Sequence, residues 1–399
     1  MTRQHGGRFL AHMKRMRRIV LWALVATLGG LLPSIAWSGQ DPIRIASVNL
    51  SQASTDQHKT TAGHRSLSRD ARIAFIRRAQ VWAPTIIPSM DIRTGPVGSG
   101  AFLPNELVAC DYTDTNMHGA TRKFHCKLAD GDIVKVRYGT SNGEVQGSVL
   151  ATRLLWALGF AANRVYPVRV TCRGCTSDPW TNHGNRKQVH DFDPAVIEQK
   201  PDGYEMWNSG DAREWGWDWD EMDRVDPGLG GAPVEQRDAL KLLAVFMQHT
   251  DTKSSQQRLL CASNKATATG QCDKPFLMLH DVGITFGRAN NRNRNSVGSV
   301  NLQEWINQPV WKDPAACVGN LDKSMTGTLG DPVISEAGRK FLADLLVQLT
   351  DQQVRDLFEV ARVDRRITSD GAAVGARVDD WVAAFNAKRQ QIVTHHCPR

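Results

Sequence analysis

Two short stretches in the second half of the chain carry side chains that could transfer a phosphoryl group. The first, HTDTKSSQ, contains Asp251, Lys253 and Gln256 on a loop predicted to follow a helix. The second, HDVG, places Asp281 directly after an apolar run and just before a glycine. Phosphoryl transfer uses these groups: one Asp near the acceptor hydroxyl, a cation near the transferred phosphate, and an Asp with an amide oxygen on Mg²⁺.

Each stretch also has a simpler interpretation. The first is made of residues that favour polar turns without any catalytic role. Asp-x-Gly by itself is a common turn, although the apolar run Phe276–Leu279 makes a carboxylate at Asp281 costly unless it is paired or bound to metal. Gln257 is an alternative to Gln256 as the amide ligand, because an apolar strand follows it directly.

The hydrophobic pattern predicts an α+β chain whose first half is rich in strands and whose second half is helical. After a helix over 66–82, the first half reads strand, strand, strand, helix, strand, strand. The predicted ranges are 102–112, 122–128, 133–138, 144–158, 164–171 and 195–200. The second half contains predicted helices over 234–249, 335–361 and 378–393, with short strands at 259–260 and 276–279.

Two further charged residues lie upstream in this pattern. Lys135 is on the strand that returns from a predicted hairpin at Asp130-Gly131, and Glu144 opens the following helix. Taken alone, Lys135 is equally well explained as an exposed strand lysine, and Glu144 as a carboxylate at a helix N-terminus.

The ordered set of Lys135, Glu144, Asp-x-Lys and Asp-x-Gly resembles the protein-kinase-like superfold. It is most similar to the atypical members: phosphatidylinositol 4-kinases, HipA-like kinases and secretory-pathway kinases, here as an exported bacterial type. The resemblance spans roughly residues 100–360. It implies a two-lobed fold with a β-rich N-lobe over 66–202, including an N-terminal helical extension, and a helical C-lobe over 203–399.

The resemblance also implies roles. Lys135 would hold the α- and β-phosphates of ATP, oriented by an ion pair with Glu144. Asp251 would orient or deprotonate the acceptor hydroxyl, and Lys253 would neutralise the γ-phosphate. Asp281 and Gln256 would hold Mg²⁺ or Mn²⁺; Gln256 replaces the family's Asn, which keeps the carbonyl ligand but adds one methylene.

The phosphate-binding turn is the poorest match to the family. Counting back over the hairpin places it at Asn116–Thr121, where His118 and Gly119 would contribute and backbone amides would cradle phosphate. The glycines of Gly95–Gly100 are of the right kind but lie too far before Lys135. Residues 198–200 fall where the family contacts adenine, mostly through the backbone.

The N-terminus indicates export to the periplasm or secretion. Residues 1–38 read as a signal peptide, with a basic region, an apolar stretch and small residues for cleavage; an uncleaved anchor is the alternative. Residues 39–65 read as a flexible leader. No later segment is apolar for long enough to span a bilayer.

Six of the 49 basic residues and none of the 41 acidic ones lie in residues 1–38, so the rest of the chain has an excess of only two positive charges. The basic character of the whole chain is therefore a property of the signal segment and does not predict a nucleic-acid partner.

The eight cysteines behind a signal peptide favour disulfides in an oxidising compartment. Sequence proximity suggests the pairs Cys110–Cys126, Cys172–Cys175 and Cys261–Cys272, which leaves Cys317 and Cys397 as the fourth pair, one connectivity among the 105 that eight cysteines allow. The Cys172-x-x-Cys175 spacing would also suit a redox or metal motif, but no second pair at metal spacing accompanies it.

The acceptor is a hydroxyl of a protein, a sugar or a lipid, and the sequence does not choose between them. Three rival functions stay open: a pseudokinase scaffold that binds a partner, a nucleotidyl transferase on the same fold, and a glycan-binding module built on the Trp-rich stretch 205–222.

Overall fold

The computed structural model describes residues 65–115, 117, 119–184, 186–208, 216–262, 272–290, 292–322 and 324–398. The predicted signal peptide 1–38 and the predicted leader 39–65, apart from its last residue, lie outside the described residues. So does His118.

The described residues form a mixed α+β structure with four disulfides. In chain order its elements are β1 (Arg65–Leu67), α1 (Arg69–Arg77), β2 (Leu107–Thr113), β3 (Lys123–Lys127), β4 (Ile133–Tyr138), α2 (Gly143–Ala157), β5 (Arg164–Arg173), β6 (Val189–Gln199), β7 (Tyr204–Asn208), α3 (Val234–Met247), β8 (Gln257–Cys261), β9 (Pro275–Leu279), α4 (Leu302–Ile306), β10 (Trp311–Asp313), β11 (Val318–Gly319), α5 (Glu336–Leu346), α6 (Asp351–Val360) and α7 (Val378–Val393).

Five strands close into a barrel in the order β2-β3-β4-β6-β5. All neighbours are antiparallel except β2 and β5. Because successive side chains of a strand point to opposite faces, Val134 and Val136 of β4 enter the barrel core while Lys135 and Arg137 face the other way. The predicted order of three strands, a helix and two strands is confirmed.

Helix α2 begins at Asn142, whose side chain accepts a hydrogen bond from the Glu144 amide. It approaches the loop that follows β9 so closely that two glycines are required. A Cβ on Gly147 would lie 2.2 Å from the Gly283 carbonyl oxygen, and a Cβ on Gly283 would lie 2.8 Å from Cγ of Glu144. The helix that carries Glu144 is thus held against the Asp281 loop.

Helix α3 ends at Gln248, which adopts a left-handed conformation with φ of 55° and turns the chain into the loop before β8. The helical half packs through aromatic rings: Phe246 lies 5.8 Å from Trp305 and 5.0 Å from Phe385, measured between ring centroids. No helix of the described residues combines the length and the apolar character needed to cross a membrane.

All four suggested disulfides are present, which confirms the pairing. The Cys172-x-x-Cys175 motif forms one of them, so both of its sulfurs are covalently engaged.

Several predicted element boundaries are wrong, among them the start of β2, which lies at Leu107 and not at 102. The helix expected over 66–82 is the shorter α1, because Gln80 pairs with Phe276 and Trp82 pairs with Phe160 in isolated β-bridges. Strand β6 begins at Val189 and not at 195, since its first residues pair with the end of β5.

The Trp-rich stretch is structural where it is described. Trp217 and Trp219 are fully buried, with ring centroids 5.2 Å apart, and Trp217 donates to the Met278 carbonyl. Neither ring presents a face on which a sugar could stack. Trp215 and the side chain of Trp207 lie outside the described residues.

Lys388 on α7 is a buried cation away from the strands. Its ammonium lies 5.2 Å from the Trp305 ring centroid and donates to the Gln308 carbonyl. Burial lowers the pKa of Lys388 to about 7.

Replacing Lys388 by methionine is expected to raise the free energy of unfolding at about pH 7, by on the order of 2 kcal/mol. The unfolded lysine titrates near 10.4, so the wild type carries a cost of burying charge that fades as pH rises from about 7 toward 10. Urea unfolding across that range should show the advantage of the variant shrinking. The exposed Lys340→Met serves as control, and a gain independent of pH would contradict the argument.

Candidate active site

Arg137 is the centre of a buried ionic cluster on the outer face of the barrel, away from its core. Its guanidinium lies 3.2 Å from Glu144 on α2 and 2.7 Å from Asp281, and it also contacts Glu198 on β6 at 2.5 Å. The Arg137 side chain is only 1% exposed. One planar cation therefore joins three carboxylates from three different elements, which suits the forked geometry of arginine.

The three carboxylates of the cluster differ in the direction in which their pKa values are shifted. Burial alone would raise the pKa of Glu198, but the charges of Lys135 and Arg137 outweigh it and lower the pKa to about 2. The pKa of Asp281 is likewise lowered, because Arg137 and Lys135 outweigh the effect of burial. Burial and the nearby charge of Asp281 raise the pKa of Glu144. Asp281 is thus held ionised, as a metal ligand must be.

The expected ion pair between Lys135 and Glu144 is not formed; a different cation pairs with Glu144. Lys135 contacts Glu198 at 2.7 Å, and Arg137, two residues further on, is the cation beside Glu144. The register explains the exchange, since Lys135 is the cross-strand partner of Glu198. Glu144 and Asp281 both contact Arg137.

A second cation near the cluster, Lys123, was not predicted from the sequence. It opens β3 directly opposite Arg137, and it is only 8% exposed. Its ammonium lies under the turn between β2 and β3, where a Cβ on Gly119 would be 2.6 Å from it. The predicted phosphate turn therefore has a lysine beneath it. No motif marks this lysine; the only signal was its place at the strand start after that turn.

Glu198, one of the residues predicted to lie near adenine, belongs to the cluster and has a further partner besides the two cations. Asn163 donates to Glu198 and contacts Nδ1 of His280, both at 2.8 Å. Burial and the charge of Arg258 lower the pKa of His280 to about 3, so its ring is neutral and Nδ1 can accept the amide hydrogen. The side chain of Glu198 thus pairs with Lys135 and Arg137 and is not free to contact the adenine ring.

The predicted catalytic loop brings its three residues together. Lys253 and Gln256 donate to the same oxygen of Asp251, Oδ2, at 3.1 and 2.8 Å. Within the described residues no donor contacts Oδ1, which is left for an incoming hydroxyl. The amide nitrogen of Gln256 faces Asp251, so its carbonyl oxygen is the atom that could bind a metal.

The catalytic loop and the Asp281 loop are tied through the backbone. The backbone carbonyl of Gln256 accepts hydrogen bonds from the backbone amides of His280 and Asp281, at 2.9 and 3.1 Å. These two bonds hold the backbone of Gln256 next to that of Asp281. Gln257 starts β8 with its side chain fully buried, and no partner for its amide is found in the described part of the chain, so it is Gln256 that contacts Asp251.

These residues fit a hard divalent cation. Asp281 offers an ionised carboxylate and Gln256 a carbonyl oxygen, the donor types that Mg²⁺ and Mn²⁺ prefer. Among the residues that the structure describes, the groups of three or more metal-ligating side chains are cysteine clusters elsewhere, so the protein supplies few ligands here. Water and substrate phosphates complete the shell of a magnesium ion at such sites.

Arg366 clamps the two sides of the site together. It is fully buried and donates to the carbonyls of Ser299 and Ser296, at 3.3 and 3.2 Å, and of Ser141, at 3.5 Å. Ser141 precedes α2, and the two other serines follow the Asp281 loop. The side chain therefore joins the element that carries Glu144 to the segment that follows Asp281.

No family model matches the chain, and no curated protein matches it. Among solved structures, the crystal structure of CtkA, a proinflammatory kinase of Helicobacter pylori, is similar to it with 10% sequence identity, covering 71% of this chain and 94% of that chain, at a TM-score of 0.36.

Proposed function

We propose that this chain is an exported, kinase-like phosphotransferase that uses ATP with Mg²⁺ or Mn²⁺ and acts on a hydroxyl acceptor. The observation that carries the proposal is the meeting of two groups of residues. Glu144 and Asp281 converge on Arg137, and Asp251 lies with Lys253 and Gln256 on a loop bonded to the backbone of Asp281.

In this proposal Lys135, which is paired with Glu198 and 20% exposed, keeps the phosphate-holding role, and Arg137 joins Glu144 to Asp281. Lys123 adds a cation beneath the β2–β3 turn, and Lys253 lies beside Asp251 with its side chain 35% exposed, within reach of a transferred phosphate. Asp251 would orient the acceptor hydroxyl and take its proton through Oδ1. When bound, the metal ion would neutralise charge on the phosphates; Asp281 and Gln256 would hold it.

Export is the second part of the proposal. It is supported by the signal-like residues 1–38 and by four disulfides that persist in oxidising compartments. The kinase-like arrangement is supported by the strand order of the barrel and by the converged site.

The direct test is transfer from ATP. Purified protein, with its disulfides intact, is incubated with ATP and Mn²⁺ together with candidate protein, sugar and lipid acceptors, and the products are weighed by mass spectrometry. A phosphoryl addition supports the proposal. The much heavier nucleotidyl addition would instead establish nucleotidyl transfer, and metal-dependent binding without any transfer would leave a pseudokinase.

Replacing Asp251 by asparagine is expected to lower the transfer rate by roughly 10²–10⁴-fold, because the acceptor loses its base. Nucleotide affinity should change little, since Asp251 is not assigned to the nucleotide or metal. Rate and affinity are measured separately, with the exposed Asp344→Asn as matched control. Equal rates in the two variants would remove Asp251 from the reaction.

A further inference from the structure

A cavity of about 280 Å³ opens at the rim of the barrel, beside the cluster around Arg137. One wall is the end of β2 with Thr115 and Met117 after it, and a second is the start of β3. The third is the connection between β5 and β6, which places Trp180 over the opening. The barrel residue Phe124 and the neighbouring Tyr112 complete an aromatic lining.

Lys123 is the charge in this cavity. Its ammonium lies 5.5 Å from the Trp180 ring centroid, and within the described residues it has neither a hydrogen bond nor an ion pair. Glu144 and Asp281, whose charges act on Lys123, are engaged by Arg137. A buried ammonium without an anionic partner is costly, so the site favours an anion that would pair with it.

The other polar groups of the cavity match an oxyanion. None of its described lining residues is acidic. Thr113, Thr115 and Tyr112 offer hydroxyl donors, and His125 contacts the Thr115 hydroxyl at 2.5 Å. The half-buried ring of Trp180 offers a flat apolar face to whatever carries the anion.

We propose that this cavity binds a phosphate group carried on a planar ring or sugar, with Lys123 paired to the phosphate and Trp180 against the ring. The phosphate belongs either to the nucleotide or to a phosphorylated acceptor, since both carry the same group. The inference does not depend on phosphoryl transfer, because binding can be measured without metal or nucleotide.

The test uses inorganic phosphate and phenyl phosphate as probes, titrated calorimetrically into the full protein. Wild type is expected to bind phenyl phosphate more tightly than inorganic phosphate. Lys123→Met should weaken both by at least tenfold, and Trp180→Leu should abolish the preference for the aromatic probe. Lys127→Met, an exposed lysine at the other end of β3, should change nothing.

Thermal unfolding of each variant checks folding, and Lys123→Met is expected to fold because it removes a buried charge. No binding by wild type, or equal binding by the Lys123 and Lys127 variants, would overturn the proposal. A third arm adds ATP and Mg²⁺. Competition with the probe assigns the cavity to the nucleotide phosphate, and additive binding assigns it to a phosphorylated acceptor.

Discussion

Replacing Arg137 by methionine is expected to destabilise the protein by about 3–5 kcal/mol or more, the usual cost of leaving a buried ionic partner unpaired. Three carboxylates share this one guanidinium: Glu144, Glu198 and Asp281. Lys135 would still contact Glu198, but the other two would keep their charge in a buried site without their central cation. Urea unfolding at about pH 7 measures the loss.

The pH dependence identifies the cause of that loss. In the wild type the folded pKa of Glu198 is about 2, below its unfolded value, so its stabilising contribution is full at neutral pH and is lost as pH falls from about 4.5 toward 2. Without Arg137 the folded pKa values rise, and protonation relieves the unpaired carboxylates. The stability gap between wild type and variant should therefore narrow as pH falls from 7 to about 4.

Two variants control this experiment. Arg137→Lys keeps the positive charge but loses the planar, forked guanidinium. We expect its stability to lie between that of Arg137→Met and that of the wild type. Arg173→Met removes an arginine from an exposed ion pair with Asp111 on the same barrel, and it should change stability little. A gap of constant size from pH 7 to 4 would mean that Arg137 matters for its packing and not for its charge.

Replacing Asp281 by asparagine is expected to weaken metal-dependent nucleotide binding by about 100-fold or more, since a ligand is lost and not merely its support. The amide keeps the size of the side chain, and Arg137 retains Glu144 and Glu198, so the variant should fold. Calorimetric titration of ATP with Mg²⁺ or Mn²⁺, and again with chelator, measures the effect.

Asp322→Asn is the matched control, because Asp322 is exposed and its ion pair with Arg288 lies at the surface. Wild-type affinity in the Asp281 variant would end the assignment of Asp281 as metal ligand. Nucleotide affinity that is equal with and without metal in the wild type would end the metal-dependent part of the proposed function.

Local patterns in the sequence determined much of the fold. The apolar spacing of α7 predicted its range, 378–393, and the hairpin signal at Asp130-Gly131 placed β3 and β4. Close spacing suggested three of the disulfides, and the last followed from the two cysteines left over. These features depend on residues near one another in the chain or on the parity of the cysteine count, which a single sequence contains.

The partners of the charged side chains were decided by the tertiary structure alone. Lys135 and Arg137 are two residues apart and share one face of β4, so nothing local tells which of them reaches Glu144. Barrel register decides it, by setting Lys135 across from Glu198 and Arg137 across from Lys123. Lys123 was missed for a similar reason, because it is covered in part by Trp180, which lies in a connection distant in sequence. The sequence thus determined which ionisable groups the site contains, and long-range packing decided which of them meet.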